Sequence, residues 1–210
     1  MPSHQNTAAI IKLPNVAVNR RLEAVKRVRA AVEKKLHYLM DGLWANCADA
    51  LFEEMCHMDQ QSALDCHFNI MRALKTQSKV LRDQFHVQMN HSWVSLIQRK
   101  DEQPVPNAPH DVTATLKVYS DKNLNHYKIL LEELRLRFCN LAKRDVAFHP
   151  LLPGNFFLSF WHATEALNLT YQERKLLLPL FNRFVMDRFG QILSIANQTL
   201  VDLDVPAWIE

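Results

Sequence analysis

Glycine is scarce in this chain: only Gly42, Gly154 and Gly190 occur in 210 residues, against a usual share of roughly 7%. That scarcity argues against turn-rich β architecture. It also leaves no GxxxxGK[ST] or GxGxxG loop to cradle a phosphate. A GxSxG elbow, which would present a serine nucleophile, is missing too. The four cysteines, Cys47, Cys56, Cys66 and Cys139, form no CxxC knuckle, and a chain of this size folds without disulfide staples, so reduced thiols in the cytoplasm are expected. No run of about 18 apolar residues exists, so no membrane span is expected. Met1 to Pro14 also lacks the basic cluster followed by an apolar core that a secretory signal requires.

What the chain does contain is helix-forming, periodic sequence. Hydrophobic residues make up 48% of it, enough for a sizeable core in one large domain or two small ones. Ala, Leu, Lys, Glu and Gln dominate the periodic segments, which predicts an all-α fold. The net charge of +3 permits an acidic partner without demanding one.

The most apolar stretch is Phe148 to Pro206. A first helix is expected after Gly154, carrying Phe156, Phe157, Phe160, Trp161 and Leu167. A second starts at Thr170, with Glu173 placed to complete a capping box. In it Leu177, Leu178, Phe181, Phe184, Val185, Phe189, Ile192, Leu193, Ala196 and Leu200 recur every three or four residues. So broad an apolar surface predicts packing on more than one side. Pro179 predicts a kink or short irregularity, and Gly190 is a second weak point.

Ahead of that stretch, residues 1–16 read as a flexible lead and 17–100 as a long antiparallel αα-hairpin. Its first arm spans about Ala17 to Met58, with Leu22, Val25, Val32, Leu36, Leu39, Leu43, Cys47, Leu51, Met55 and Met58 on the core side. Its second arm runs from about Gln61 to Gln98, with Leu64, Phe68, Met71, Leu74, Leu81, Phe85, Met89 and Leu96 as core. The short turn at Asp59 and Gln60 makes the arms antiparallel. Arms of about 60 Å, at about 1.5 Å per residue, need cover from other helices or from a second copy of the chain. Residues 101–119 read as a Pro-rich linker, with Val112 to Val118 as loop or helix lead-in. Residues 120–210 form a C-terminal helical region on or beside the hairpin. It opens with a helix over Asp121 to Lys143 whose seam is Leu124, Tyr127, Leu131, Leu134, Phe138 and Leu141. That regular seam, with the length of the hairpin, suggests a homodimer.

Three blocks in order, ADALFE (Ala48 to Glu53), FNIMRALKTQSKVLRDQF (Phe68 to Phe85) and HPLLP…F…A…LNL…LFNRFVMDRFGQI…N…L, resemble the bacterial DUF1631 family, a domain of unknown function. The chain resembles a compact member, joining the family's opening hairpin to its closing helices through a short linker where longer relatives carry more sequence. His149 stands where the family pattern has Asn before Pro, and Pro179 interrupts the closing helix. The resemblance implies a mostly helical cytoplasmic protein with no assigned reaction, in a family some of whose members are linked to cyclic-dinucleotide signalling.

No catalytic residue, cofactor or metal is expected. Cys56, His57, Cys66 and His67 offer a zinc-like donor set, but neighbours on a helix point about 100° apart and do not converge on one ion. Charge is more informative. Seven basic residues lie between Arg20 and Lys35, and six acids without Lys or Arg between Asp41 and Asp65. On the second arm Arg72, Lys75, Lys79, Arg82 and His86 recur at three and four, a basic stripe beside the core seam. Folding the hairpin sets Arg72 near Asn46 and Asp49, and Lys79 or Arg82 near Lys34 to Tyr38. The bland reading is a solvated helix edge. The functional one is a docking surface for a protein partner's acidic segment or an anionic nucleotide. Nucleic acid is the weaker alternative, for which Trp93 is the one nearby aromatic free to stack. The expected role is therefore regulatory or scaffolding, through protein–protein contacts on helix surfaces.

Overall fold

The computed structural model describes residues 15–56, 61–98 and 108–208. Among them are seven α-helices and no strand: α1 Asn15–Met55, α2 Gln61–Ile97, α3 His110–His126, α4 Lys128–Ala142, α5 Pro153–Ala163, α6 Tyr171–Phe184 and α7 Phe189–Val201. Most of the lead, residues 1–14, and residues 101–107 of the linker lie outside the described residues.

α1 and α2 form the expected hairpin. Arg29 donates to Asn90 at 2.6 Å, Arg82 pairs with Asp41 at 3.3 Å, and His67 meets Glu54 at 3.2 Å. As the α1 partner rises in number the α2 partner falls, which makes the arms antiparallel. Val28, Val32, Leu36, Leu43 and Leu51 of α1 and Leu81 and Phe85 of α2 are buried between and beneath the arms. The chain itself covers the hairpin: α5 packs on α2, while α6 and α7 pack on α1. One continuous core results, reaching from Ala24 to Val205.

At its centre sits α5, buried on nearly every side by Phe156, Phe157, Phe160 and Trp161. The Phe160 and Phe181 rings stack at 4.1 Å, and Phe85 meets both edge-on, at 6.2 and 5.7 Å. α6 starts at the predicted capping box: the Thr170 N–H and Oγ1–H donate to Glu173 Oε2 at 2.7 and 2.8 Å. Glu173 also accepts from Asn69 Nδ2 at 2.9 Å, tying the start of α6 to α2.

Three expectations need correction. The linker ends early, because α3 starts at His110 and Val112 to Val118 is helical. Val112, Leu116 and Asn123 face inward at helical spacing, a pattern that the chance alternation of TATLKVY conceals. The single helix expected over Asp121 to Lys143 is two, broken at Tyr127. Four residues of its seam, Leu131, Leu134, Phe138 and Leu141, are buried within the chain, so they offer nothing to a second copy. The long terminal helix is also two, separated by a 3-10 turn at Met186–Arg188. The break does not fall at Pro179, which α6 passes through with the proline exposed. On a solvent face, water can serve the carbonyl that loses its amide partner.

The two breaks meet. The Tyr127 hydroxyl donates to the Asp187 carbonyl at 3.4 Å, and its ring lies edge-on to Phe189 at 5.8 Å. Gly190 makes this fit possible, since a Cβ there would stand 2.8 Å from Tyr127 Cε1. Gly190→Ala is therefore expected to destabilise the protein by about 1–3 kcal/mol despite alanine's better helix propensity. Denaturant unfolding checks the sign, which would be reversed if the aromatic ring moved aside freely.

Candidate functional site

The structure divides the basic stripe in two. Arg82 turns inward, about a third exposed, to pair with Asp41, and its Nε is buried without a partner. His86, one turn on, is half-buried and stacks on His37 of α1 with ring centroids 4.2 Å apart. Burial, and then the neighbouring His37, pushes the His86 imidazole below its ordinary range. These two residues fasten the hairpin. Arg82 thus lies close to the part of α1 anticipated for it, at Asp41 rather than Lys34 to Tyr38.

Arg72, Lys75 and Lys79 stay exposed. Arg72 donates to Asn69 at 2.6 Å, while Lys75 and Lys79 have no ion-pair partner among the described residues. Arg72 and Lys75 line a groove of about 610 Å³ between the arms, together with Trp44, Cys47 and Ala48 of α1 and Phe68, Met71 and Leu74 of α2. The presence of Cys47 and Ala48 opposite Arg72 agrees with the register expected from the turn. No carboxylate among the described residues lines this groove.

Two aromatic readings are overturned here. Phe68, expected in the core, is 55% exposed: α6 docks on this end of α2 through Asn69, and the neighbouring position 68 points about 100° away from it. Trp93, expected to be free for stacking on bases, is buried edge-on against Phe138. Trp93 therefore offers no platform on which a base could stack. Phe52 is 58% exposed and stands four residues beyond Ala48, on the same side of α1. The apolar floor therefore continues toward the end of the hairpin.

The zinc-like set is not assembled among the described residues. His57 lies outside them, Cys56 is exposed, and the buried His67 engages the Ala63 carbonyl and Glu54 with its two ring nitrogens. All four cysteines are free thiols. No helix of the described residues is long and apolar enough to cross a membrane.

Periodicity did not signal the site's floor. A phenylalanine at a seam position reads as core from sequence, and its exposure depends on which side of the helix the covering helices dock against. With the geometry in place, comparison with known proteins gives one family. The model described as "Protein of unknown function (DUF1631) N-terminal domain" matches residues 20–204. No curated protein and no solved structure matches.

Proposed function

The chain belongs to the DUF1631 family, and from that premise we propose that it is a non-catalytic cytoplasmic regulatory or scaffold protein whose α1–α2 groove docks a partner. The observation that carries this reading is the groove's composition. Trp44, Phe68 and Met71 supply an apolar floor, Arg72 and Lys75 supply exposed positive charge, and no carboxylate among the described residues lines it. Exposed apolar surface rimmed by charge is the usual form of a helix-accepting groove. The complementary partner is an amphipathic helical segment with acidic residues beside its apolar stripe, steered by charge and held by the aromatic floor.

Self-association through this groove is the second form of the proposal, since the seam of α4 is occupied. The competing class is an effector that binds an anionic nucleotide, such as a cyclic dinucleotide, on Arg72, Lys75 and Lys79.

The test is affinity capture from the native cytoplasm with the wild type and with a triple reversal, R72E/K75E/K79E. These side chains are exposed, so the variant is expected to unfold within about 0.5 kcal/mol of the wild type per site. Recovery of a stoichiometric protein partner, weakened at least about tenfold by the reversal, supports docking. Equal capture by both proteins sinks it. Co-purification of a nucleotide alone, lost on reversal, transfers the stripe to the effector class.

A further inference from the structure

Sharing no lining residue with the groove, a pocket of about 380 Å³ lies where the loop Phe148 to Leu152 meets the junction of α3 and α4. Leu124, Leu131, Ala147 and Leu152 form its apolar wall, and Asn125, Lys128, Glu132, Arg135 and His149 its polar one. A volume of this size lies at the small end of ligand-binding pockets, which combine mostly apolar walls with a few fixed polar groups.

The group that gives the pocket its chemistry is His149, only 2% exposed. Its Nδ1 accepts from the Leu151 N–H at 3.2 Å. An accepting Nδ1 carries no proton, so the neutral ring holds its proton on Nε2. The ring is fixed on its other sides. Its face lies against Phe138 at 5.3 Å, and its carbonyl accepts from the Leu152 N–H and from Asn155 Nδ2, at 3.2 and 2.9 Å. Nε2 has no hydrogen-bond partner among the described residues, yet it is not among the polar atoms sealed from solvent. The pocket is what it opens onto. The pocket thus presents an oriented donor that has no protein acceptor among the described residues.

The remaining charges define what fits. Arg135 is already committed: it grips Glu132 through Nε and Nη2, at 3.0 and 2.8 Å, and reaches Asp145 through Nη1 at 2.8 Å. Arg135 and Glu132 both line the pocket and cancel each other there, while Asp145, outside the lining, leaves the cluster as a whole with one net negative charge. Lys128, one turn before Glu132, is exposed and has no partner among the described residues. The site thus offers one neutral donor at its floor, one free ammonium at its mouth and a leucine-lined wall between them.

We propose that this pocket is a binding site for a short-chain carboxylate, with one oxygen accepting from His149 Nε2–H, the charge balanced by Lys128, and the alkyl chain against Leu124, Leu131 and Leu152. The site is separate from the α1–α2 groove, so its success or failure leaves the docking proposal untouched.

The test uses the whole chain labelled with ¹⁵N and titrated with butanoate, hexanoate and octanoate, each beside the alcohol of equal length. Saturable shifts at the Leu151, Leu152 and Leu131 amides and at the His149 ring are expected, with a dissociation constant on the order of 1 mM for the best chain. The matching alcohol and the Lys128→Ala variant are each expected to bind at least about tenfold more weakly. Lys128 is exposed and unpaired, so its removal leaves the fold intact, and His149→Phe, which keeps a ring and deletes the donor, is expected to abolish the effect. Shifts that stay linear with concentration, or that are the same in Lys128→Ala, overturn the proposal and assign the Nε2–H to bound water.

Discussion

Phe181→Ala is expected to cost about 3–5 kcal/mol, among the large losses that truncating one buried side chain produces. Phe181 is fully buried and is the point where four aromatic rings meet: it stacks on Phe160 and receives the edges of Phe85 and Phe157. Those neighbours come from α2 and α5, so the ring couples one arm of the hairpin to the two helices that cover it. Removing it strips the transfer energy of a whole aromatic ring, leaves a cavity and breaks the stacked contact. Helices on three sides limit how far the walls can relax into the space. Guanidinium unfolding of wild type and variant measures the effect. A loss under about 1.5 kcal/mol would mean that α6 closes on α5 and the core is plastic at its centre.

Acid is expected to unfold this protein earlier than its carboxylates alone would predict, because of His149. Burial, and then the neighbouring Arg135, holds its pKa down at about 3, against an ordinary value of 6.5. The folded state therefore refuses a proton that the unfolded chain accepts. Above pH 6.5 the imidazole is neutral in both states and its contribution to stability is complete. As pH falls from 6.5 toward 3 that contribution is lost, at about 1.36 kcal/mol per pH unit. By pH 4.5 the loss reaches about 3 kcal/mol. His86, also displaced downward, acts in the same direction. The depressed carboxylates titrate lower: Asp111, held by Lys175 and Tyr171, protonates at about 2. The interval from pH 6.5 to 4.5 thus isolates the histidines. His149→Asn is expected to start less stable at pH 7 but to lose clearly less on acidification. Urea unfolding at both pH values decides it, and equal slopes for the two proteins would refute a buried neutral His149.

Most of the helices were legible because their signals are local. The capping box at Thr170 and Glu173 specifies where α6 begins from residues three apart, and the spacing from Leu36 through Leu43 to Leu51 fixes the inward face of α1 whatever packs on it. The breaks were not legible. Nothing near Tyr127 resembles a helix stop, and the Pro179 that does resemble one leaves α6 continuous. Tyr127 interrupts α3 and α4 because its ring is needed against Gly190 and Phe189, more than sixty positions along the chain. The pocket at His149 was half visible: an imidazole in the apolar run FHPLLP is conspicuous, but its bare donor depends on a backbone amide two residues on and on Phe138 from another helix.

The basic stripe shows the same division within one helix. Its spacing alone placed Arg72, Lys75, Lys79, Arg82 and His86 along one edge of α2, since i, i+3 and i+4 positions share an edge in any helix. Which of them face solvent was decided by α1, whose Asp41 and His37 take up Arg82 and His86 and leave the other three free. By itself the sequence determined an all-α chain, an antiparallel hairpin and its register, because periodicity, capping and a short turn are properties of neighbouring residues. Only the tertiary structure decided that the C-terminal helices cover the hairpin, that Trp93 is buried while Phe68 is exposed, and that a groove remains between the arms. Burial depends on which side of each arm the covering helices dock against, and that is set by packing between residues remote in the chain.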